Sequence, residues 1–277
     1  MRINIKSLID NINTGLNTNY TDEDIAVLSP GESKSLIFQI KEEYLYKIYD
    51  SVEEYKNSTA FFEHYKDNDY FQQLQFRNND EKSHCLTFLK GNLLLGMQVD
   101  YSYLINDIFR IVSTYKEYNE TNIERFNYGT NTWSKFLENN IYFNYSDIID
   151  KSIVEENLKV IEKYDIKNYM LHADFGSHNF IIGKEGLKVI DPCVCIGDKL
   201  FDFYCGIFSD PIIFANLNIK DILEYFEEYD MEYKIALAKL CFIFRMEIAI
   251  KFNCYSNTEI YYAWYDSFVK GTPKLSI

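Results

Sequence analysis

The stretch Leu171-His172-Ala173-Asp174-Phe175-Gly176-Ser177-His178-Asn179, followed by Val189-Ile190-Asp191-Pro192, decides how this chain is read. Between its two halves lie Phe180 to Ile182 and Leu187 to Ile190, two short β-favouring runs turned by Gly183-Lys184-Glu185-Gly186, which predicts a hairpin. Asn179 then immediately precedes the first strand and Asp191 immediately follows the second. In an antiparallel pair both residues fall at the same open end. An amide oxygen and a carboxylate facing each other are hard ligands suited to magnesium, which keeps its waters and completes its shell from a nucleotide's phosphates. Asp174, five residues before Asn179, is left to face a substrate hydroxyl.

The tripeptide Asp174-Phe175-Gly176 also spells the magnesium-binding signature of protein kinases. That role would require a His-x-Asp loop upstream, and no histidine occurs between His84 and His172. The tripeptide therefore lies inside the catalytic loop, with Asp191 at the magnesium position.

Outward from this segment the chain divides by pattern. The first third reads as strand-rich: Ser35 to Ile40 and Tyr44 to Tyr49 form a hairpin across Lys41-Glu42-Glu43, and Phe71 to Arg77 and Cys85 to Leu89 supply two further strands. Between them Glu53 to Tyr65 spaces Tyr55, Phe61, Phe62 and Tyr65 as a helix does. From Asn92 onward helical periodicity dominates, over residues 94–118, 132–139, 149–162, 219–229 and 232–252, with the hairpin around Gly183 as the single strand pair. The expectation is an α+β chain with a small antiparallel β lobe carrying one helix (residues 1–90) and a larger, mainly helical lobe (residues 91–277), the boundary near Gly91.

Composition narrows the function classes. Of 277 residues 47% are apolar, enough for a substantial core, and a formal net charge of −14 disfavours nucleic acid and anionic lipid while favouring cationic partners. Apolar runs such as Leu240 to Phe244 are broken by Arg245 and Glu247 far short of the roughly 20 residues of a membrane span. The opening residues show no signal-peptide core, so the cytoplasm is the expected location and the six scattered cysteines are expected to be free thiols. Cys193-Val194-Cys195 lacks zinc-site spacing.

The loop from Leu171 to Asn179, with Val189-Ile190-Asp191-Pro192 and Gly197-Asp198 to Asp202, resembles the aminoglycoside phosphotransferase family. The His-Ala-Asp-Phe-Gly-Ser loop, together with Gly129 to Phe136 and its Trp133, is most similar to the hygromycin B phosphotransferase branch. The resemblance implies a protein-kinase-like bilobal fold and transfer of the γ-phosphate of ATP or GTP, with Mg2+, to a hydroxyl of a cationic small molecule, an aminoglycoside, by a monomeric enzyme that confers antibiotic resistance. It implies that Asp174 is catalytic, that Asn179 and Asp191 hold the metal, and that Asp198 and Asp202 are scaffold. It further implies that Gly31 and Ser33, in Pro30-Gly31-Glu32-Ser33, cover the phosphates, that Lys47 holds the α- and β-phosphates, and that Phe88 and Leu89 form the hinge that meets the purine. The glutamate partner of Lys47 stays open between Glu63 and Glu54. His172 is expected to brace the loop, and His178 to be a solvent-facing or packed loop residue.

Competing readings keep the kinase but change the acceptor to a sugar, choline or homoserine-like metabolite, make the chain a metal-dependent hydrolase built from His172, Asp174, His178 and Asp191, or reduce it to a nucleotide-binding module.

Overall fold

The structure is a computed structural model that describes residues 5–28, 34–95, 97, 101–143, 148–215, 217–252 and 258–271. In chain order its elements are α1 (Ile5–Leu16), β1 (Ile25–Leu28), β2 (Leu36–Ile40), β3 (Tyr44–Ile48), α2 (Val52–His64), β4 (Leu74–Asn78), β5 (Ser83–Thr87) and β6 (Asn92–Leu93). There follow α3 (Tyr101–Ser113), α4 (Ile123–Phe126), α5 (Trp133–Phe143), α6 (Lys151–Ile161), β7 (Tyr169–Leu171), β8 (Phe180–Gly183), β9 (Gly186–Val189) and β10 (Cys195–Gly197). The chain continues through α7 (Leu200–Ile207), α8 (Pro211–Phe214), α9 (Ile219–Leu223), α10 (Met231–Phe252) and α11 (Thr258–Trp264).

These elements group into two compact units, one of residues 1–94 and 180–193, the other of residues 95–179 and 194–277. The division is not linear in sequence, because β8 and β9 belong with the first unit. The reason is pairing: β6 pairs with β8, and Phe71 bridges Val189 of β9. Gly91 lets β6 come this close, since a Cβ there would sit 2.4 Å from the carbonyl oxygen of Ile182.

The first unit is built on an antiparallel sheet of order β1-β2-β3-β5-β4. Alternation gives β3 two faces. Tyr46 and Ile48 point to one face, where Phe38, Ile40 and Cys85 join Leu8 and Ile12 of α1 in a buried cluster. Lys47 points to the other, where the register sets Lys47 beside His84 of β5 and His84 beside Arg77 of β4. Helix α2 covers this second face, with Ser51 capping its first turn by accepting from the N–H groups of Glu53 and Glu54. The expected lobe with one helix is thus corrected to one with two. Ile5, Leu8, Ile12 and Leu16 carry the helical spacing that the strand-dominated reading of this region passed over.

In the second unit α10 runs through the core. Its buried residues occupy all sides, from Tyr233 through Leu240 and Phe242 to Ala249, as a central helix requires. Two further expectations are corrected here. The region holds a second strand pair, β7 with β10, whose three-residue strands are buried throughout and so carry no alternation to read. The helix expected over residues 219–229 ends at Leu223, because Phe226 takes a left-handed conformation (φ 54°) that no helix continues through. Among the described residues no helix is long and apolar enough to cross a membrane.

Candidate active site

In the first unit the row Lys47–His84–Arg77 runs across three neighbouring strands, and α2 lies over it. Glu54 sits 3.2 Å from Lys47, Thr59 hydrogen-bonds His84 at 2.7 Å, and Glu63 pairs with Arg77 at 2.5 Å. Nine helical residues rise about 13 Å, enough to step across the two strand spacings of about 4.8 Å that separate β3 from β4. The choice between the two glutamates is therefore made by the sheet: β5 lies between β3 and β4, so Glu54 reaches Lys47 and Glu63 is taken by Arg77.

Lys47 is nearly buried, with its ammonium 4.6 Å from the centre of the Tyr49 ring. Its second carboxylate partner is Asp191, at 2.5 Å. Asp191 follows β9 in a left-handed conformation (φ 58°) and keeps its side chain 45% exposed. Behind this cluster His84 accepts or donates to Tyr49 and Thr59, and burial, helped by the charges of Lys47 and Arg77, pushes its pKa down to about 3, so the imidazole is neutral.

In the second unit Asp174 stands in the loop after β7. Its Oδ2 receives His178 Nε2 at 3.0 Å and Asn179 Nδ2 at 3.1 Å, and Arg245 Nη1 of α10 lies 3.6 Å from Oδ1. Desolvation alone would raise the carboxyl, but the hydrogen bond and charge of His178, with Arg245, hold it well below the usual carboxylate range. Asp174 is ionised at neutral pH.

The loop is fixed from behind. Asp202 of α7 accepts from the N–H groups of His172 (2.7 Å) and Ala173 (3.1 Å) and from the Tyr115 hydroxyl (2.7 Å). This holds Ala173 in its left-handed conformation (φ 67°), a strain of about 1 kcal/mol or more for a residue with a Cβ. Asp198 accepts from Leu200 N–H and the Tyr233 hydroxyl, closing the start of α7. Burial raises both carboxyls to about 6 against the pull of these donors. His172 is fully buried, its ring packed edge-on against Phe175, which suits a brace.

Each unit carries an oxygen donor of the hard kind that magnesium takes. Asn179 turns Nδ2 to the carbonyl and carboxylate of Asp174, which leaves Oδ1 as its atom for a cation, and Asp191 offers a half-exposed carboxylate. Among the described residues no group of three or more His, Cys, Asp or Glu side chains is arranged to hold a metal. Gly31 and Ser33 lie outside the described residues. Phe88 and Leu89 follow β5, and the Phe88 N–H is donated to the Glu43 carbonyl at 2.9 Å.

Solved structures match the chain over nearly its whole length. The GDP complex of wild-type aminoglycoside 2'-phosphotransferase-IIIa matches with a TM-score of 0.58 at 11% identity, covering 97% of this chain and 99% of that one. Choline kinase from Cryptosporidium parvum Iowa II gives 0.57 at 11%, covering 96% and 95%. A thermostable mutant of aminoglycoside phosphotransferase APH(4)-Ia, in ternary complex with ADP and hygromycin B, gives 0.56 at 13%, covering 95% and 98%. The chain has a protein-kinase-like fold. No family model matches it, and no curated protein matches it in sequence. At these identities the likeness is one of fold, and it does not single out the hygromycin B branch.

Within this kinase fold the sequence reading missed three supports. Arg245 is seventy residues downstream of Phe175, whose carbonyl it binds. Asn127 bonds both the N–H and the carbonyl of Ile196 (2.8 and 2.7 Å), standing in for a strand beside β10. His178, expected to face solvent or pack, is a direct partner of Asp174. Its spacing of four residues was the available signal. Of the acidic residues between α9 and α10, Glu228 pairs with Lys199 and Asp230 accepts from Tyr164, on the wall of a cavity of about 540 Å³.

Proposed function

We propose that the chain is a small-molecule kinase that moves the γ-phosphate of ATP or GTP to a hydroxyl of an aminoglycoside. The observation that carries this reading is the ionised Asp174, held by His178 and Asn179 and still 44% exposed at its side chain. A carboxylate so fixed orients an acceptor hydroxyl and takes its proton, while the acceptor oxygen bonds to phosphorus and the bond from phosphorus to the departing diphosphate oxygen breaks.

Lys47, set by Glu54, would hold the α- and β-phosphates. Gly31 and Ser33 would cover them. The base would meet the Phe88 carbonyl and the backbone of Leu89, since the Phe88 N–H is engaged by Glu43. Asn179 and Asp191 would hold magnesium, which supplies charge neutralisation at the phosphates. The near burial of Lys47 between two carboxylates favours this phosphate role over that of a solvated surface lysine, and disfavours a hydrolase indifferent to it.

An aminoglycoside acceptor is supported by the motif resemblance, by the aminoglycoside enzymes among the fold relatives and by the net charge of −14. A metabolite acceptor is the second reading, favoured by the equally close fold of a choline kinase. A coupled assay of nucleoside diphosphate release, run with Mg2+ and ATP or GTP against aminoglycosides including hygromycin B and against choline, homoserine and sugars, tests both. Aminoglycoside-dependent release supports the first reading. Release with a metabolite and with no aminoglycoside overturns it.

A further inference from the structure

Arg245 is a charged residue on the long central helix α10, only 4% exposed. Its guanidinium reaches into three parts of the unit: Nε donates to the Cys205 carbonyl of α7 at 3.1 Å, Nη2 to the Phe175 carbonyl of the loop at 2.7 Å, and Nη1 faces Asp174 Oδ1 at 3.6 Å. The planar fork thus ties α10, α7 and the loop together in one geometry, which a lysine's single ammonium does not reproduce.

Two details mark this as more than packing. The hydrogen-bond donors on Asp174 crowd onto Oδ2, whereas Arg245 stands beyond normal hydrogen-bond distance from Oδ1. It attracts that oxygen by charge without occupying its lone pairs, which leaves Oδ1 able to accept from a hydroxyl. The loop is also shaped around the arginine: a Cβ on Gly176 would lie 2.6 Å from Nη2 and 3.0 Å from both His178 Cε1 and Ser209 Cβ. Glycine at 176 gives the guanidinium its place.

We infer that Arg245, admitted by Gly176, is a positioning residue for phosphoryl transfer that fixes the Asp174 carboxylate with Oδ1 towards the acceptor hydroxyl. This rests on the kinase reading above.

The test compares Arg245→Met, Arg245→Lys and Gly176→Ala in the full chain, measuring kcat with an acceptor found in the screen, ADP affinity in the presence of Mg2+, and thermal midpoint. Misplacing a reacting group by about 1 Å costs about a hundredfold, so folded Arg245→Met should lose about that in kcat with ADP affinity held within about twofold. Arg245→Lys should recover about tenfold by restoring the charge. Gly176→Ala should lose kcat with the arginine still present, and it carries the test together with Arg245→Lys if Arg245→Met does not fold.

Unchanged kcat in the folded variants, parallel loss of kcat and ADP affinity, or no recovery by lysine overturns the inference. If the wild-type protein transfers phosphate to no acceptor, the kinase reading fails by itself. Amide exchange over residues 173–179 then decides on Arg245: faster exchange in Arg245→Met and Gly176→Ala supports its hold on the loop, and unchanged exchange overturns it.

Discussion

Lys47 and Asp174 are the charged groups on which the proposed reaction depends, and the protein holds them by opposite means. Lys47 is nearly buried on the face of a sheet, neutralised by Glu54 from the helix above and Asp191 from beyond β9. Its partners are 7 and 144 residues away and meet it only because strand register and helix placement bring them there. Asp174 is half-exposed in a loop, and its hydrogen-bond donors, His178 and Asn179, lie 4 and 5 residues on. A charge placed by register depends on the whole sheet. A charge placed by a short loop depends on what anchors that loop from behind, here Asp202 and Arg245.

The sharpest test of this contrast is at the loop. Asp174→Asn keeps the shape but removes the proton acceptor, so kcat should fall by about a thousandfold with nucleotide affinity unchanged, read by steady-state kinetics and calorimetric titration. Retained turnover would remove Asp174 from the chemistry. At the sheet, Lys47→Ala should lower kcat/KM by about a hundredfold, with weaker nucleotide binding as the visible cause, because a charge-assisted phosphate contact is lost. Phosphate release indifferent to this change would point to the hydrolase instead.

Smaller effects probe the anchors. Asp202→Ala removes the carboxylate that accepts from the His172 and Ala173 N–H groups and from the Tyr115 hydroxyl, and should cost about 3 kcal/mol in urea unfolding. A cost comparable to that of an exposed surface aspartate would mean that the loop is held otherwise. Asp198 tests the sign of the burial effect. Its folded pKa of about 6 exceeds the ordinary 3.8, so the folded state retains a proton that the unfolded chain gives up. The resulting stabilisation is full below pH about 4 and is lost as pH rises through about 6. Unfolding free energies of wild type and Asp198→Asn should therefore shift relative to each other by about 2 kcal/mol in favour of the variant between pH 4 and 7. Parallel pH profiles would show that the donors from Leu200 and Tyr233 outweigh burial.

Legibility followed the range of the interactions. The hairpin of β8 and β9 was readable because its glycines and its short β-favouring runs are local, and the pairing of Gly183 with Gly186 realises it. The β2–β3 hairpin and α2 were readable for the same reason. The strand pair β7–β10 was not, since three buried residues per strand give no period and the partners are 24 or more residues apart. Helix α9 was read too long because apolar spacing persists past Leu223, while the left-handed turn at Phe226 answers to packing that spacing does not encode.

The sequence by itself determined the loop from His172 to Asn179 and the hairpin that follows, because turn chemistry and short spacing leave a chain little freedom there. It also determined that Lys47 would stand on a strand. Only the tertiary structure decided that Glu54 and not Glu63 meets Lys47, since the order of β3, β5 and β4 assigns each glutamate its strand. It alone placed Arg245 behind Asp174, because a contact spanning some seventy residues exists only once α10 has found its place in the core.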